Sequence, residues 1–67
     1  MANLLRPEDL PAVAKPEEVA GVVRVTPEAL AQDRYRRQGI PYVKVGGRVR
    51  YLREDVLSYL AANRVAI

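Results

Sequence analysis

Cysteine and histidine are both absent from this 67-residue sequence. Their absence excludes disulfide bonds, thiolate or imidazole metal sites, and catalysis in which a histidine activates a nucleophile. The hydroxyls of Thr26 and Ser58 therefore have no histidine to activate them. A phosphate-binding glycine loop is missing as well, because the one glycine pair, Gly46-Gly47, fits a hairpin turn. We therefore expect a protein that is not an enzyme and that uses no metal or cofactor.

Long apolar segments are equally scarce. No run of roughly 7–15 apolar residues follows Met1, as a secretory signal would require, and none approaches the length of a membrane span. We therefore expect a cytoplasmic protein that does not associate with membranes. A chain of this length forms at most one domain, whose core contributes typically about 3–5 kcal/mol.

Acidic residues are missing from the middle of the chain, where every charge from Arg34 to Arg53 is positive. Residues 1–33 contain three basic and six acidic residues, whereas residues 34–67 contain eight basic and two acidic ones. Nine of the basic residues are arginines and two are lysines, and the guanidinium group suits phosphates and guanine edges. Such a field favours nucleic acid as a partner, although a basic run is often only a solvated face.

Prolines indicate where the helices begin. Pro7 and Pro11 exclude one helix through both positions, so we interpret residues 1–15 as an arm or a short helical turn. Pro16 suits the first turn of a helix, and the two glutamates that follow it suit the positive end of the helix dipole.

A second helix is predicted to begin at Thr26-Pro27-Glu28, with Thr26 as its N-cap and Leu30 as its core contact. We expect it to run to Gln38 and to stop near Gly39, with a proline soon after. Two short helices joined by a tight turn are the elements of a helix-turn-helix.

The segment from Val43 to Tyr51, VKVGGRVRY, alternates apolar and basic residues around the glycine pair, as a β-hairpin does. A two-residue loop would pair Val45 with Arg48 and mix valine with arginine on one face. A three-residue loop with Gly47 in the left-handed conformation would pair Lys44 with Arg48 and separate the two faces. We therefore predict the three-residue loop. Its core face would carry Val43, Val45, Val49 and Tyr51, and its outer face Tyr42, Lys44, Arg48 and Arg50.

After Tyr51 the apolar spacing becomes that of a helix, which we expect to run through about Asn63 and to close the core. No Ser, Thr, Asp or Asn stands before Arg53, so the cap of this helix is unexplained.

The string Gly39–Tyr51, GIPYVKVGGRVRY, followed by Arg53–Val56, REDV, resembles the small MerR-like winged-helix proteins of the excisionase family. The resemblance covers roughly residues 16–63. It implies an α+β fold, a small winged helix-turn-helix with two short helices, a two-stranded basic wing and a C-terminal helix. The implied domain spans residues 16–63, between an arm at 1–15 and a tail at 64–67.

The same resemblance implies a function. Helix two would enter the major groove of double-stranded DNA, and the wing would lie on the adjacent minor groove or backbone. Members of the family bend attachment-site DNA of phages and integrative elements and direct an integrase toward excision. The implied partners are DNA, a site-specific integrase and other copies of the chain on DNA, in the cytoplasm of a bacterial host cell. A small MerR-like or AlpA-like transcriptional regulator is the alternative, and an adaptor that binds an acidic protein is a third hypothesis.

Two positions depart from the family pattern. Arg24 stands where the family usually has glycine, which implies a different turn or an arginine in an unusual conformation. Asp33 stands where many relatives carry tryptophan. Tyr35 is expected either to replace that ring or to face DNA.

On helix two, Glu28, Gln32 and Arg36 lie one turn apart and form a polar stripe. Arg36 suits a guanine contact and Gln32 an adenine contact. Thr26 is favoured as an N-cap over a phosphate contact. Arg48, nearest the hairpin tip, suits a narrow minor groove. The expected DNA-binding set is Thr26, Glu28, Gln32, Tyr35 and Arg36 on the recognition helix, Arg34 and Arg37 at phosphates or in solvent, and Lys44, Arg48 and Arg50 on the wing.

Overall fold

The computed structural model describes residues 6–65. This part of the chain forms a short 3-10 turn, three helices and three antiparallel strands, so the predicted α+β class is confirmed and the arrangement is that of a small winged-helix-like fold. None of the helices in residues 6–65 is long and apolar enough to cross a membrane. In chain order the elements are the 3-10 turn Pro7–Asp9, β1 (Val13–Ala14), α1 (Pro16–Val23), α2 (Pro27–Tyr35), β2 (Val43–Val45), β3 (Arg48–Leu52) and α3 (Arg53–Ala62).

The sheet has a third strand that the sequence pattern did not predict. β1 pairs with β3, with Val13 opposite Leu52 and Ala14 opposite Tyr51, so that β3 lies in the centre in the order β1-β3-β2. Leu10 and Ala14 are 1% and 0% exposed. The segment expected to be an arm or a helical turn therefore contributes to the core from residue 10 onward. Residues 1–5 of that segment, and residues 66–67 of the tail, lie outside the described residues.

The N-terminal segment also explains how α3 begins without a side-chain cap. Leu52 occupies the N-cap position and offers no hydrogen-bonding side chain. The backbone N–H of Arg53 donates instead to the carbonyl of Ala12 at 3.0 Å, and Nη1 of Arg53 donates to the carbonyl of Leu10 at 3.0 Å. A donor left unpaired at the helix start is thus satisfied by a neighbouring strand.

Both helix starts predicted from proline are confirmed. α1 begins at Pro16, and the Glu18 carboxylate accepts a hydrogen bond of 2.8 Å from the backbone N–H of Lys15. α2 begins at Pro27, and Oγ1 of Thr26 accepts a bond of 3.1 Å from the N–H of Ala29. These caps are local interactions between residues three apart, which is why sequence alone located them.

The helix ends are less regular. Arg24 after α1 and Arg37 after α2 both adopt the left-handed conformation, with φ of 63° and 56°. Val25 N–H then donates to the Ala20 carbonyl and Gln38 N–H to the Asp33 carbonyl, as in Schellman caps. In the turn between α1 and α2, Arg24 therefore takes the conformation that usually requires glycine.

α2 ends at Tyr35, three residues before the predicted Gln38. Asp33 explains the early end, because its Oδ1 accepts a hydrogen bond of 3.2 Å from Nε2 of Gln38 while its carbonyl accepts the backbone N–H of the same residue. The chain then turns back over Asp33 at Gly39, where φ is 85° and a Cβ would lie 2.9 Å from Oδ2 of Asp33. Asp33 thus makes the side-chain contact at the end of α2.

The core lies between the helices and the inner face of the sheet. Tyr51 is the largest of the fully buried side chains, and Leu30 is 3% exposed, as predicted for the core contact of α2. The buried residues are Leu10, Ala14, Val19, Ala20, Val22, Leu30, Ile40, Tyr51 and Val56.

The predicted register of the hairpin is wrong. Val45 pairs with Arg48, Lys44 with Val49 and Val43 with Arg50, so the loop has two residues instead of three. Gly46 and Gly47 both have positive φ, at 57° and 81°, which is the conformation of a type I′ turn. Such a turn matches the right-handed twist of the strands, and this local preference outweighs the pattern of valines.

The two predicted faces change accordingly, because paired residues share a face. Val49 and Tyr51 do face the core, but Val43 and Val45 lie on the opposite face together with Arg48 and Arg50. Lys44 shares the side of Val49 and Tyr51, not that of the arginines. Val45 is 56% exposed, so the end of the hairpin extends beyond the core. At that end, neither register would bury the valines, and the alternation of valine and arginine does not select one.

Replacement of Gly46 tests this turn. No atom lies within 4 Å of a Cβ built at Gly46, so Gly46→Ala acts only through the backbone and is expected to lower the free energy of unfolding by about 1–2 kcal/mol. Gly46→Asn is the matched control and is expected to cost less, since Asn-Gly is a preferred type I′ pair. Urea denaturation measures both. A stability of Gly46→Ala equal to wild type would contradict the two-residue loop.

Candidate nucleic-acid interface

The cations of the basic segment form no salt bridge with carboxylates of residues 6–65. In residues 6–65 the salt bridges are those of Arg6 with Glu8 and Asp9, at 3.9 and 3.8 Å. No cation from Arg34 to Arg53 takes part in one. Their positive field is therefore available at the surface, near the end of α2 and along the hairpin.

The polar stripe predicted on helix two is exposed. Glu28 and Gln32 are solvent-exposed on α2, and Leu30 is buried on the other side of the helix. Arg36 is also exposed, but it occupies the C-cap of α2 with φ of −86° instead of lying inside the helix. The stripe therefore spans the whole exposed length of α2, and Arg36 extends from its last turn.

Tyr35 does not replace the missing tryptophan in the core. Its side chain is 90% exposed, and it lies on the same side of α2 as Gln32, three residues earlier. A tyrosine exposed to this degree gains little from burial within its own chain. The sequence leads us to expect Tyr35 either in the core or on the surface that faces DNA, and the structure places it on the protein surface.

Arg34 is partly buried and makes contacts within the chain instead of being simply solvated. Its Nη1 donates a hydrogen bond of 2.7 Å to the hydroxyl of Tyr51. The guanidinium carbon lies 5.9 Å from the ring centroids of both Tyr42 and Tyr51, within the range of cation–π attraction. Arg34 thus connects α2 to the hairpin.

The remaining candidates of this region are distributed as follows. Thr26 caps α2, which is the role that the sequence favoured. Arg37 is exposed and has a left-handed backbone just after the end of α2. Arg37 forms no salt bridge among the described residues.

On the wing, Lys44 and Arg48 are exposed, and they lie on opposite faces of the ribbon. Arg50 is partly buried and its Nη1 donates to the backbone carbonyl of Val49 at 2.7 Å. The three wing cations therefore do not form the single cationic face that the predicted register implied. They place positive charge on both sides of the hairpin.

Sequence reasoning missed the tyrosine pair that holds Arg34. The rings of Tyr42 and Tyr51 are 6.4 Å apart and tilted by 59°. A signal for Tyr51 did exist in the sequence, because a tyrosine predicted on the core face needs a hydrogen-bond partner for its hydroxyl. Which side chain would supply that partner depended on how α2 packs against the sheet.

No family model matches this chain, and neither a curated protein nor a solved structure does. The similarity to the excisionase family thus stays a prediction from the residues quoted above.

Proposed function

We propose that this chain is a sequence-specific, DNA-binding architectural protein without enzymatic activity. The observation that carries the proposal is the group of cations at the end of α2 and on the hairpin, which form no salt bridge within the described part of the chain. These cations supply positive charge for the phosphate backbone, and the exposed polar stripe of α2 supplies side chains that can contact base edges. The resemblance to the excisionase family suggests site-specific recombination as the process in which this DNA binding is used.

In this proposal α2 enters the major groove. A groove about 12 Å wide admits one helix. The exposed side of α2 presents Glu28 and Gln32, and Arg36 follows at the C-cap of the helix. Arg36 binds guanine and Gln32 binds adenine. Tyr35, 90% exposed beside them, adds an aromatic contact to the same surface.

The hairpin acts as the wing. Because Lys44 and Arg48 lie on opposite faces of the ribbon, the wing is suited to enter a groove on edge, with one cation toward each DNA strand, instead of lying flat on one strand. Arg48 follows the turn directly and reaches furthest into the minor groove.

A single module of this size buries roughly 600–1,000 Å² on DNA. A useful affinity for DNA therefore requires either further copies of the chain on adjacent sites or a site-specific integrase bound next to it. We propose that the protein bends attachment-site DNA in a bacterial cytoplasm and directs the integrase toward excision.

A mobility-shift assay on the attachment-site region, with integrase added and both recombination directions scored, tests this proposal. The expected result is a shifted complex and an increase of excision over integration. A shift without an effect on recombination would favour a transcriptional regulator. Failure to bind any duplex would contradict DNA binding and leave the adaptor hypothesis.

Replacement of Arg48 tests the wing. Arg48→Ala is expected to weaken binding to all duplexes and to lower the slope of log K against log salt by about 0.9, since one phosphate contact is lost. Arg64→Ala removes an exposed charge after α3 and is the matched control. If the salt titration of Arg48→Ala overlays that of wild type, Arg48 does not contact DNA.

Replacement of Arg36 tests base recognition. Arg36→Ala is expected to cost about 1–3 kcal/mol on the cognate site and to relax the preference at one base pair. Binding is measured on the cognate duplex and on duplexes changed at single positions. Equal losses on cognate and scrambled DNA would assign Arg36 to the phosphate backbone instead.

A further inference from the structure

An open cleft of about 480 Å³ lies between the C-terminal end of α2 and the start of the hairpin. Arg34 and Arg37 line it on the α2 side, and Ile40, Pro41 and Tyr42 line it on the other. The cleft is thus basic on one side and apolar on the other.

The two arginines differ in how they are placed. Arg34 is oriented by the hydroxyl of Tyr51 at 2.7 Å and by the neighbouring tyrosine rings. Arg37 is exposed at the cleft, and its backbone is left-handed with φ of 56°. A guanidinium that is oriented before binding loses less side-chain entropy when it captures an anion.

Asp33 is the closest carboxylate along the chain, and it lies beside the cleft without lining it. Its Oδ1 accepts a hydrogen bond of 3.2 Å from Gln38, which does line the cleft, and its side chain lines a separate apolar groove between α2 and α3. The carbonyls at the end of α2 are also occupied, since those of Gln32, Asp33 and Arg34 accept backbone N–H groups. These N–H groups offset part of the negative partial charge at the C-terminal end of α2.

The apolar side of the cleft has a matching shape. Pro41 and the ring of Tyr42, which is 41% exposed, are flat surfaces of carbon atoms. A deoxyribose ring presents a similar carbon surface and is attached to a phosphate that suits guanidinium groups. A free inorganic anion would use only the basic side.

We propose that this cleft binds one deoxyribose–phosphate unit of a DNA strand, with the phosphate between Arg34 and Arg37 and the sugar against Pro41 and Tyr42. The inference depends on the proposed DNA-binding function and adds a site to it, located between the recognition helix and the wing. It assigns a contact to Tyr42, which has no role in the base-reading stripe, and makes Tyr51 a positioning residue for Arg34.

Salt titrations with one 20-base-pair duplex test the site. Arg37→Gln is expected to lower the slope of log K against log salt by about 0.9. Arg64→Gln makes the same change of charge on the exposed residue after α3 and is expected to leave the slope unchanged. Circular dichroism confirms that both variants are folded.

Tyr51→Phe tests the positioning of Arg34 while leaving every charge in place. Loss of the hydroxyl frees the guanidinium, and DNA affinity at fixed salt is expected to fall roughly 2- to 10-fold because that side chain must be ordered on binding. Tyr59→Phe removes a tyrosine hydroxyl from α3, outside the cleft lining, and is the control, with affinity near that of wild type. Amide NMR spectra with and without the duplex locate the contact, with shifts expected at Gly39 and Tyr42.

The outcomes separate this site from the proposed function. If wild type binds the duplex but Arg37→Gln and Arg64→Gln give the same slope, DNA binding stands and the cleft is not the site. Unchanged Gly39 and Tyr42 amides in the bound state would overturn it as well. If wild type binds no duplex, the proposed function and the cleft fail together.

Discussion

The partly buried hydrogen bond between Arg34 and Tyr51 joins α2 to the sheet. Tyr51 is 1% exposed and stands on β3, the strand that pairs with both of the others. A phenol hydroxyl left unpaired at such a position costs about 1–3 kcal/mol. Arg34 satisfies it from α2, so the same contact that completes the core sets the position of the exposed side of α2 relative to the hairpin.

The N-terminal segment completes this arrangement from the other side of β3. β1 occupies the edge that would otherwise be open, and the carbonyls of Leu10 and Ala12 receive the donors of Arg53 at the start of α3. A domain of this size has little apolar surface to bury. Burial of Leu10 and Ala14 is therefore a substantial part of what stabilises the site for its proposed use.

Charge and stability are separated in space. Apart from Asp33 near the end of α2, the acidic residues stand in the first turns of the helices and beside Arg6, whereas the cations of the proposed interface have no carboxylate partner in the described residues. Arg37 shows the cost of keeping a cation at a turn, because a left-handed arginine is about 1–2 kcal/mol less favourable than the ordinary conformation. A glycine would remove that strain, but it would remove the cation as well.

The sequence by itself determined the starts of α1 and α2, the presence of the hairpin, the core position of Leu30 and the location of the positive charge. Each of these follows from neighbouring residues: prolines and caps a few positions apart, a glycine pair, or the count of charges. The hairpin register, the third strand, the early end of α2 at Tyr35 and the place of Arg34 were decided only by the tertiary structure. They depend on contacts between residues distant in sequence, such as Tyr51 with Arg34 and Arg53 with Ala12, and on which part of the hairpin has a core to pack against. Where Val45 extends beyond that core, burial no longer selects a register, and the geometry of the Gly46-Gly47 turn does.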